Sequence, residues 1–240
     1  MHARPVVFLA ALAAVALAPG ALRLDRQEPH APVVAAPGPP PARAGVSAAE
    51  LLAATADCDQ ISDGRYPRDE GGPEDVPVCG TPRAVHWEAD LDIDCDGEPG
   101  AHCNADTDPL FAAATAVERS GGGYLSAERT PYVVVPGPGG RWDPAASGVR
   151  GGEVAALVHH GRIVYAVVGD TGPADVIGEA SYAAARALGI TADPAGGGAA
   201  DGVTYVVFRN TRVAVPEDPA AAAAQGRGLA RDLVRAHTRR

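Results

Sequence analysis

Two carboxylates, Asp170 and Glu179, stand in the stretch Ala166 to Tyr182 (Ala-Val-Val-Gly-Asp-Thr-Gly-Pro-Ala-Asp-Val-Ile-Gly-Glu-Ala-Ser-Tyr), each beside a glycine. The apolar run Ile163 to Val168 ends in Gly169 and delivers Asp170 to a turn, while Gly178 and Glu179 open a segment, Ala180 to Leu188, that reads as a helix. The glycines let a ligand approach the backbone closely. A carboxyl pair presented in this way can split a glycosidic bond. One group, as the acid, protonates the leaving oxygen; the other, as carboxylate, activates water or attacks. Carboxylates at strand ends and helix starts also serve as plain caps, so the spacing by itself does not separate catalysis from capping.

A second cluster is Asp90-Leu91-Asp92-Ile93-Asp94-Cys95-Asp96-Gly97. On a strand, period-two spacing puts Asp90, Asp92, Asp94 and Asp96 on one face and Leu91, Ile93 and Cys95 on the other. Four carboxylates on one face repel one another and call for a cation or a cationic substrate. The portion from Asp92 to Gly97 also matches the opening of a calcium loop. Cys103 stands where the bidentate Glu of an EF-hand belongs, so that match fails, and Asp106 and Asp108 remain as ligands for a non-standard loop.

The remaining chemistry-bearing residues point nowhere sharper. Trp87, Tyr132, Trp142 and Tyr182 offer flat faces on which sugar rings stack, although a core role suits each equally well. His159 and His160 lack a Ser or Cys in a nucleophile motif. Gly121 to Gly123 and Gly196 to Gly198 lack the strand–loop–helix setting of a phosphate cradle, and the chain has no Lys to complete a P-loop.

Short Val/Tyr-rich runs must position these groups. Val85 to Ile93, Pro131 to Pro136, Val154 to His159, Arg162 to Val168 and Val203 to Phe208 read as strands, with His160-Gly161 as a tight hairpin turn. Ala48 to Ala56 behind Ser47, Ser181 to Leu188, Ala220 to Gln225 and Leu229 to Ala236 have helical composition. The expected fold is a β-rich α+β domain, a compact β-barrel or mixed sheet with a few peripheral helices. A six-stranded barrel of the double-psi kind would suit the strand pattern.

Residues 1–24 read as a signal peptide or N-terminal anchor: a short basic start precedes the apolar run Val6 to Ala18, too short for a membrane span. Residues 25–46, with six prolines between Pro29 and Pro41, read as a Pro/Ala-rich linker, which leaves 47–240 as the folded domain. Beyond residue 43 the chain carries 16 arginines against 28 acids, a balance that repels nucleic acid and anionic membrane and attracts polycations. Cys58, Cys79, Cys95 and Cys103 in an exported chain point to two disulfides, with three connectivities open. No C-x-x-C pair supports zinc.

Four motifs occur in order: Trp87 to Gly97 (Trp-Glu-Ala-Asp-Leu-Asp-Ile-Asp-Cys-Asp-Gly), Pro131 to Pro136 (Pro-Tyr-Val-Val-Val-Pro), Val168 to Pro173 (Val-Gly-Asp-Thr-Gly-Pro) and Ile177 to Ser181 (Ile-Gly-Glu-Ala-Ser). Together they resemble the chitosanases of glycoside hydrolase family 75, over about residues 57 to 210. The resemblance implies a secreted enzyme that cuts β-1,4 links between glucosamine units of chitosan internally, with inversion. The family's essential Asp and Glu fall on Asp170, as general base, and Glu179, as general acid. Substrate contacts are expected from Asp90, Asp92 and Asp94 and from Trp87, Thr171 and Tyr182. No cofactor, metal, nucleic acid or membrane partner is expected, and the chain is expected to be a monomer. Glu179 must hold its proton near working pH, which burial favours and a helix N-terminus opposes. The rival readings are a non-catalytic, calcium-stabilised carbohydrate-binding protein at the cell surface, and a hydrolase of a neutral glycan.

Overall fold

A computed structural model of the chain describes residues 45–139 and 141–239. The expected signal segment and the linker up to residue 44 lie outside the described residues. The first helix, α1 (Ala48–Ala53), begins with a reciprocal cap: the Ser47 hydroxyl accepts from the Glu50 N–H while the Glu50 carboxylate accepts from the Ser47 N–H.

Six strands close a barrel. They are β2 (Ala84–Asp94), β3 (Tyr132–Pro136), β4 (Glu153–His159), β5 (Arg162–Gly172), β6 (Glu179–Ser181) and β7 (Ala199–Arg212), in the order β2-β6-β3-β5-β4-β7 with β7 returning to β2. Pairs β2–β6 and β3–β5 are parallel and the others antiparallel. The two-residue β1 (Cys79–Gly80) adds an antiparallel pairing to the first half of β2. This is the β-rich barrel with peripheral helices that the alternating runs imply, and closure leaves β2 with no open edge.

Alternation sorts the barrel's side chains into two packed layers. Val85, Trp87, Ala89 and Leu91 of β2 join Val133, Ala155, Leu157, Val168 and Tyr205 in the inner cluster. Tyr132, Val134, Val154, Ala156, Val206 and Phe208 face outward under Leu51 of α1 and Leu233 of α3 (Pro219–His237). Both faces of the central strands are therefore apolar, which is why β4 is buried at every position. The turn His160-Gly161 has positive φ at both residues, 45° and 78°, as a two-residue hairpin requires.

Among the boundaries that differ from the sequence expectation, three have a clear consequence for the fold or the site. The two C-terminal helical segments are one helix, α3, because Gly226 lets it lie against the Tyr165 ring; a Cβ there would run into that ring. Strand β5 does not stop at Val168 but runs to Gly172, so Asp170 sits within a strand rather than in a turn. Glu179 likewise belongs to β6, and the helix that follows, α2 (Tyr182–Leu188), is capped by Ser181 and ended by the left-handed Gly189.

Candidate active site

The pairing registers place four residues in one row across four adjacent strands. Asp92 of β2 stands opposite Glu179 of β6, and Val134 of β3 stands opposite Asp170 of β5. The β3–β6 pairing of Val133 with Ala180 sets Glu179 beside Val134 and completes the row. Strands lie about 4.8 Å apart, so the Glu179 and Asp170 backbones, two strands apart, are roughly 10 Å from each other, with Val134 between them.

Asp170 reaches this row through a bulge. Val168 points into the barrel, so strict alternation would turn Asp170 inward as well. The β3–β5 register instead steps from Val133↔Val168 to Val134↔Asp170, leaving Gly169 unpaired with β3 and reversing the parity beyond it. Only glycine fits that step, because a Cβ on Gly169 would lie 2.5 Å from the Tyr132 Cβ. Gly169 keeps one partner outside the barrel, since its carbonyl accepts from the Val117 N–H at 3.1 Å. The same segment supplies the Ala116 N–H, which donates to Asp170 Oδ1 at 2.9 Å. The Thr171 N–H donates to that oxygen as well, at 2.7 Å. Asp170 Oδ2 is buried and without a protein partner.

Glu179 has a different setting. Its carboxyl leans across Val134 toward β5, where Gly172 makes room; a Cβ on Gly172 would sit 2.8 Å from Glu179 Oε2. No protein group donates to it among the described hydrogen bonds. Burial, and then the charges of Asp92, Asp170 and Asp96, push its pKa up to about 7. Burial also raises Asp170, but the Ala116 and Thr171 N–H groups favour its charged form and oppose the rise. The proton therefore settles on Glu179 before Asp170. The opposing helix-terminus effect does not arise, because Glu179 is a strand residue ahead of the Ser181 cap.

Around this pair lies a cleft of about 460 Å³ lined by six carboxylates, Asp92, Asp94, Asp96, Asp108, Asp170 and Glu179, and by no basic residue among the described residues. Asp94 is pushed up to about 8 by burial and by Asp170 and Asp96, although the Asp96 N–H (2.6 Å) and the Tyr132 hydroxyl (3.0 Å) donate to it. Asp96 is raised too, chiefly by burial, and accepts from the Ala112 N–H at 2.7 Å. The disulfide Cys95–Cys103 ties the end of β2 to the loop that carries Asp108 and Leu110. Leu110, 90 % exposed, forms an apolar rim. The other bridge is Cys58–Cys79, so the connectivity is the local one of the three left open.

The structure divides the residues expected to bind substrate. Asp92, Asp94 and Thr171 line the cleft. Trp87 does not: it is 1 % exposed, stacked on Tyr205 and packed against Trp142, and offers no face to a ligand. Asp90 is 5 % exposed and stands outside the cleft lining. Asp90 keeps the face of Asp92, since Val85, Trp87, Ala89 and Leu91 alternate without a break, but its carboxylate lies against Gly178 and near Asp69 rather than in the cleft lining. Tyr182 stacks on His102 and lines a neighbouring groove of about 430 Å³, joined to the cleft at Pro194, which borders both. Asp108 and Leu110 were not expected as cleft residues, since nothing local in the sequence marks a loop that a disulfide folds over the site.

Residues 91–234 match the family described as fungal chitosanase of glycosyl hydrolase group 75. The chain belongs to that family. The matched span contains the whole row from Asp92 to Glu179 and five of the six barrel strands in full. The group 75 chain is also similar to endo-chitosanase C of Aspergillus oryzae, 29 % identical over 195 residues, which is 75 % of this chain and 48 % of that protein. It thus spans about half the length of the curated relative it matches.

Proposed function

We propose that this group 75 chain is a secreted endo-chitosanase that hydrolyses β-1,4 links between glucosamine units with inversion. The observation that carries the reading is the row Glu179–Val134–Asp170, in which two carboxyl groups share one cleft at two-strand spacing but differ in hydrogen bonding. Inverting hydrolases keep their carboxyl groups about 6.5–9.5 Å apart, so that a water fits between base and anomeric carbon. The spacing of roughly 10 Å between the two backbones, reduced by a Glu179 side chain that leans toward β5, suits that range.

In this mechanism Asp170 acts as the base. Its Oδ1 accepts from two N–H groups, which fixes the carboxylate and leaves the unpartnered Oδ2 as the oxygen to take the water's proton. Glu179 is the acid, kept protonated by burial and neighbouring anions. As Oδ2 takes the water's proton, the water oxygen bonds to the anomeric carbon from the face opposite the leaving group. The bond to the glycosidic oxygen breaks, and that oxygen receives the Glu179 proton. Asp170 ends protonated and Glu179 ionised, and exchange with solvent resets both.

The cleft's charge accounts for the substrate class. Chitosan carries an amine on each sugar, and protonated amines are drawn to a site with six carboxylates and no basic residue. Asp92, Asp94 and Thr171 would meet the sugars nearest the cut, and Tyr182 a sugar beyond Pro194. The test is a viscosity and reducing-end assay on highly deacetylated chitosan, with proton NMR of the first anomer released. A fast fall in viscosity with α-anomer product supports the reading; β-anomer product, or greater activity on a neutral glucan, would overturn it.

A further inference from the structure

We propose that Asp69, Asp90 and Asp92 form a calcium site beside Glu179, the acid of the proposed reaction. The three carboxylates each offer an oxygen within 4.8 Å of the others. Oxygens no farther apart than this can share one ion at the 2.3–2.6 Å typical of calcium. An all-carboxylate donor set also selects a hard cation over zinc or copper.

A second, independent observation points to a ligand. Asp90 is only 5 % exposed, yet its Oδ1 is sealed from solvent and has no hydrogen-bond partner. A buried carboxylate oxygen without a donor is costly unless a cation meets the group. The chain makes room for this carboxylate: a Cβ on Gly178 would collide with Asp90 Oδ1, and glycine at φ 130° avoids the clash. Arg68, whose charge reaches Asp90, is paired with Asp75 at 3.5 Å. A sugar ammonium is a poor occupant because its ring cannot follow it to a carboxylate so deeply buried, whereas a partly dehydrated ion can. The neighbouring cluster Asp94–Asp96–Asp170 belongs to the cleft already described and is left to the reaction.

The ion would join the turn at Asp69 to β2 where both touch the strand bearing Glu179. Ile177 donates its N–H to the Pro67 carbonyl at 3.3 Å, and Asp92 donates its own to the Gly178 carbonyl at 2.8 Å. Calcium at this junction would brace the Gly178–Glu179 backbone, with Asp92 as the ligand that the site shares with the cleft lining.

The test is thermal melting of the full chain, stripped with chelator and then titrated with calcium chloride. It uses no substrate, so its result is separate from that of the chitosanase reading. The expected rise is about 5 °C or more once calcium exceeds its Kd a hundredfold. Asp69→Asn, in an exposed turn and safe for folding, should abolish most of that rise, whereas Asp94→Asn should keep it. Calorimetric calcium titration of the folded variants should show one site, lost in Asp69→Asn alone. Melting that does not move between calcium and chelator overturns the proposal. So does a shift that survives Asp69→Asn, or one produced by glucosamine hydrochloride but not by calcium.

Discussion

Glu179 and Asp170 stand in one row on strands separated only by β3, and Gly172 on the Asp170 strand provides the gap into which the Glu179 carboxyl leans. Unequal hydrogen bonding separates their settings: Asp170 is held by two N–H donors, and Glu179 by none among the described hydrogen bonds. Replacing Glu179 by Gln or Asp170 by Asn should each lower chitosan turnover by a factor of about 10³ or more, as expected for loss of a positioned acid or base. Neither variant should melt below the wild type at pH 8, because each removes a charge that burial disfavours. Reducing-end assays beside melting curves check both statements; turnover that persists in either variant would remove that residue from the reaction.

The pH dependence of stability follows from groups whose folded pKa is raised. Glu179 and Asp90 are pushed up to about 7, and Asp94 to about 8. Between the ordinary carboxyl range and these values the folded chain holds more protons than the unfolded chain, so stability falls as pH rises. The melting temperature should be highest in mildly acidic buffer and decline steadily from about pH 5 to pH 8. The chelated protein is the right sample, since a cation at Asp90 would mask that residue's share. A melting temperature that climbs over this range would contradict the burial of these carboxyls.

Activity should follow the same proton. With Glu179 as acid, kcat/KM falls about tenfold per unit above its folded pKa, near 7, and in Glu179→Gln that alkaline limb disappears from whatever turnover remains. A pH profile of initial rates on soluble chitosan oligomers decides this.

Gly169 is the pivot of the site. Gly169→Ala forces a Cβ against Tyr132 at 2.5 Å and strains the bulge that turns Asp170 outward. Overpacking of this kind costs about 1–3 kcal/mol, and misplacing a catalytic group by about 1 Å costs on the order of 10²-fold in rate. The variant should therefore stay folded at 25 °C while losing most activity. Wild-type kcat in the Gly169→Ala variant would show that the bulge does not set the geometry.

The Cys95–Cys103 bridge holds the loop of Asp108 and Leu110 over the cleft. Its removal by paired Cys→Ser changes should cost about 2–3 kcal/mol from the short loop it closes. KM should rise more than kcat falls, because the loop lines the cleft and carries neither the proposed acid nor the proposed base. Melting and steady-state kinetics on the double variant test the split; a loss confined to kcat would place the loop in the chemistry itself.

Much of this protein is local in its causes and could be read from the residues. The alternation of β2, the apolar runs of β4 and β7 and the His160-Gly161 turn specify a β-rich fold, barrel or mixed sheet, since each depends on side chains a few positions apart. The ordered motifs around Asp94, Val134, Asp170 and Glu179 point to the family, and family matching bears that out. The tertiary structure decided how those residues meet. Period-two counting put Asp90 on a face with Asp92, as the fold does, but only the folded chain brings Asp69 and Gly178 against Asp90 and keeps it out of the cleft lining. Counting would also send Asp170 into the core, and the unpaired Gly169 reverses it. Trp87 reads as well for sugar stacking as for packing until the barrel closes over it. The raised pKa of Glu179 has no local cause, because burial and the charges of Asp92, Asp170 and Asp96 arise from strands that touch only in the folded chain. Sequence specifies parity and propensity, whereas register, bulges and desolvation are properties of contacts between distant segments, and the chemistry depends on those.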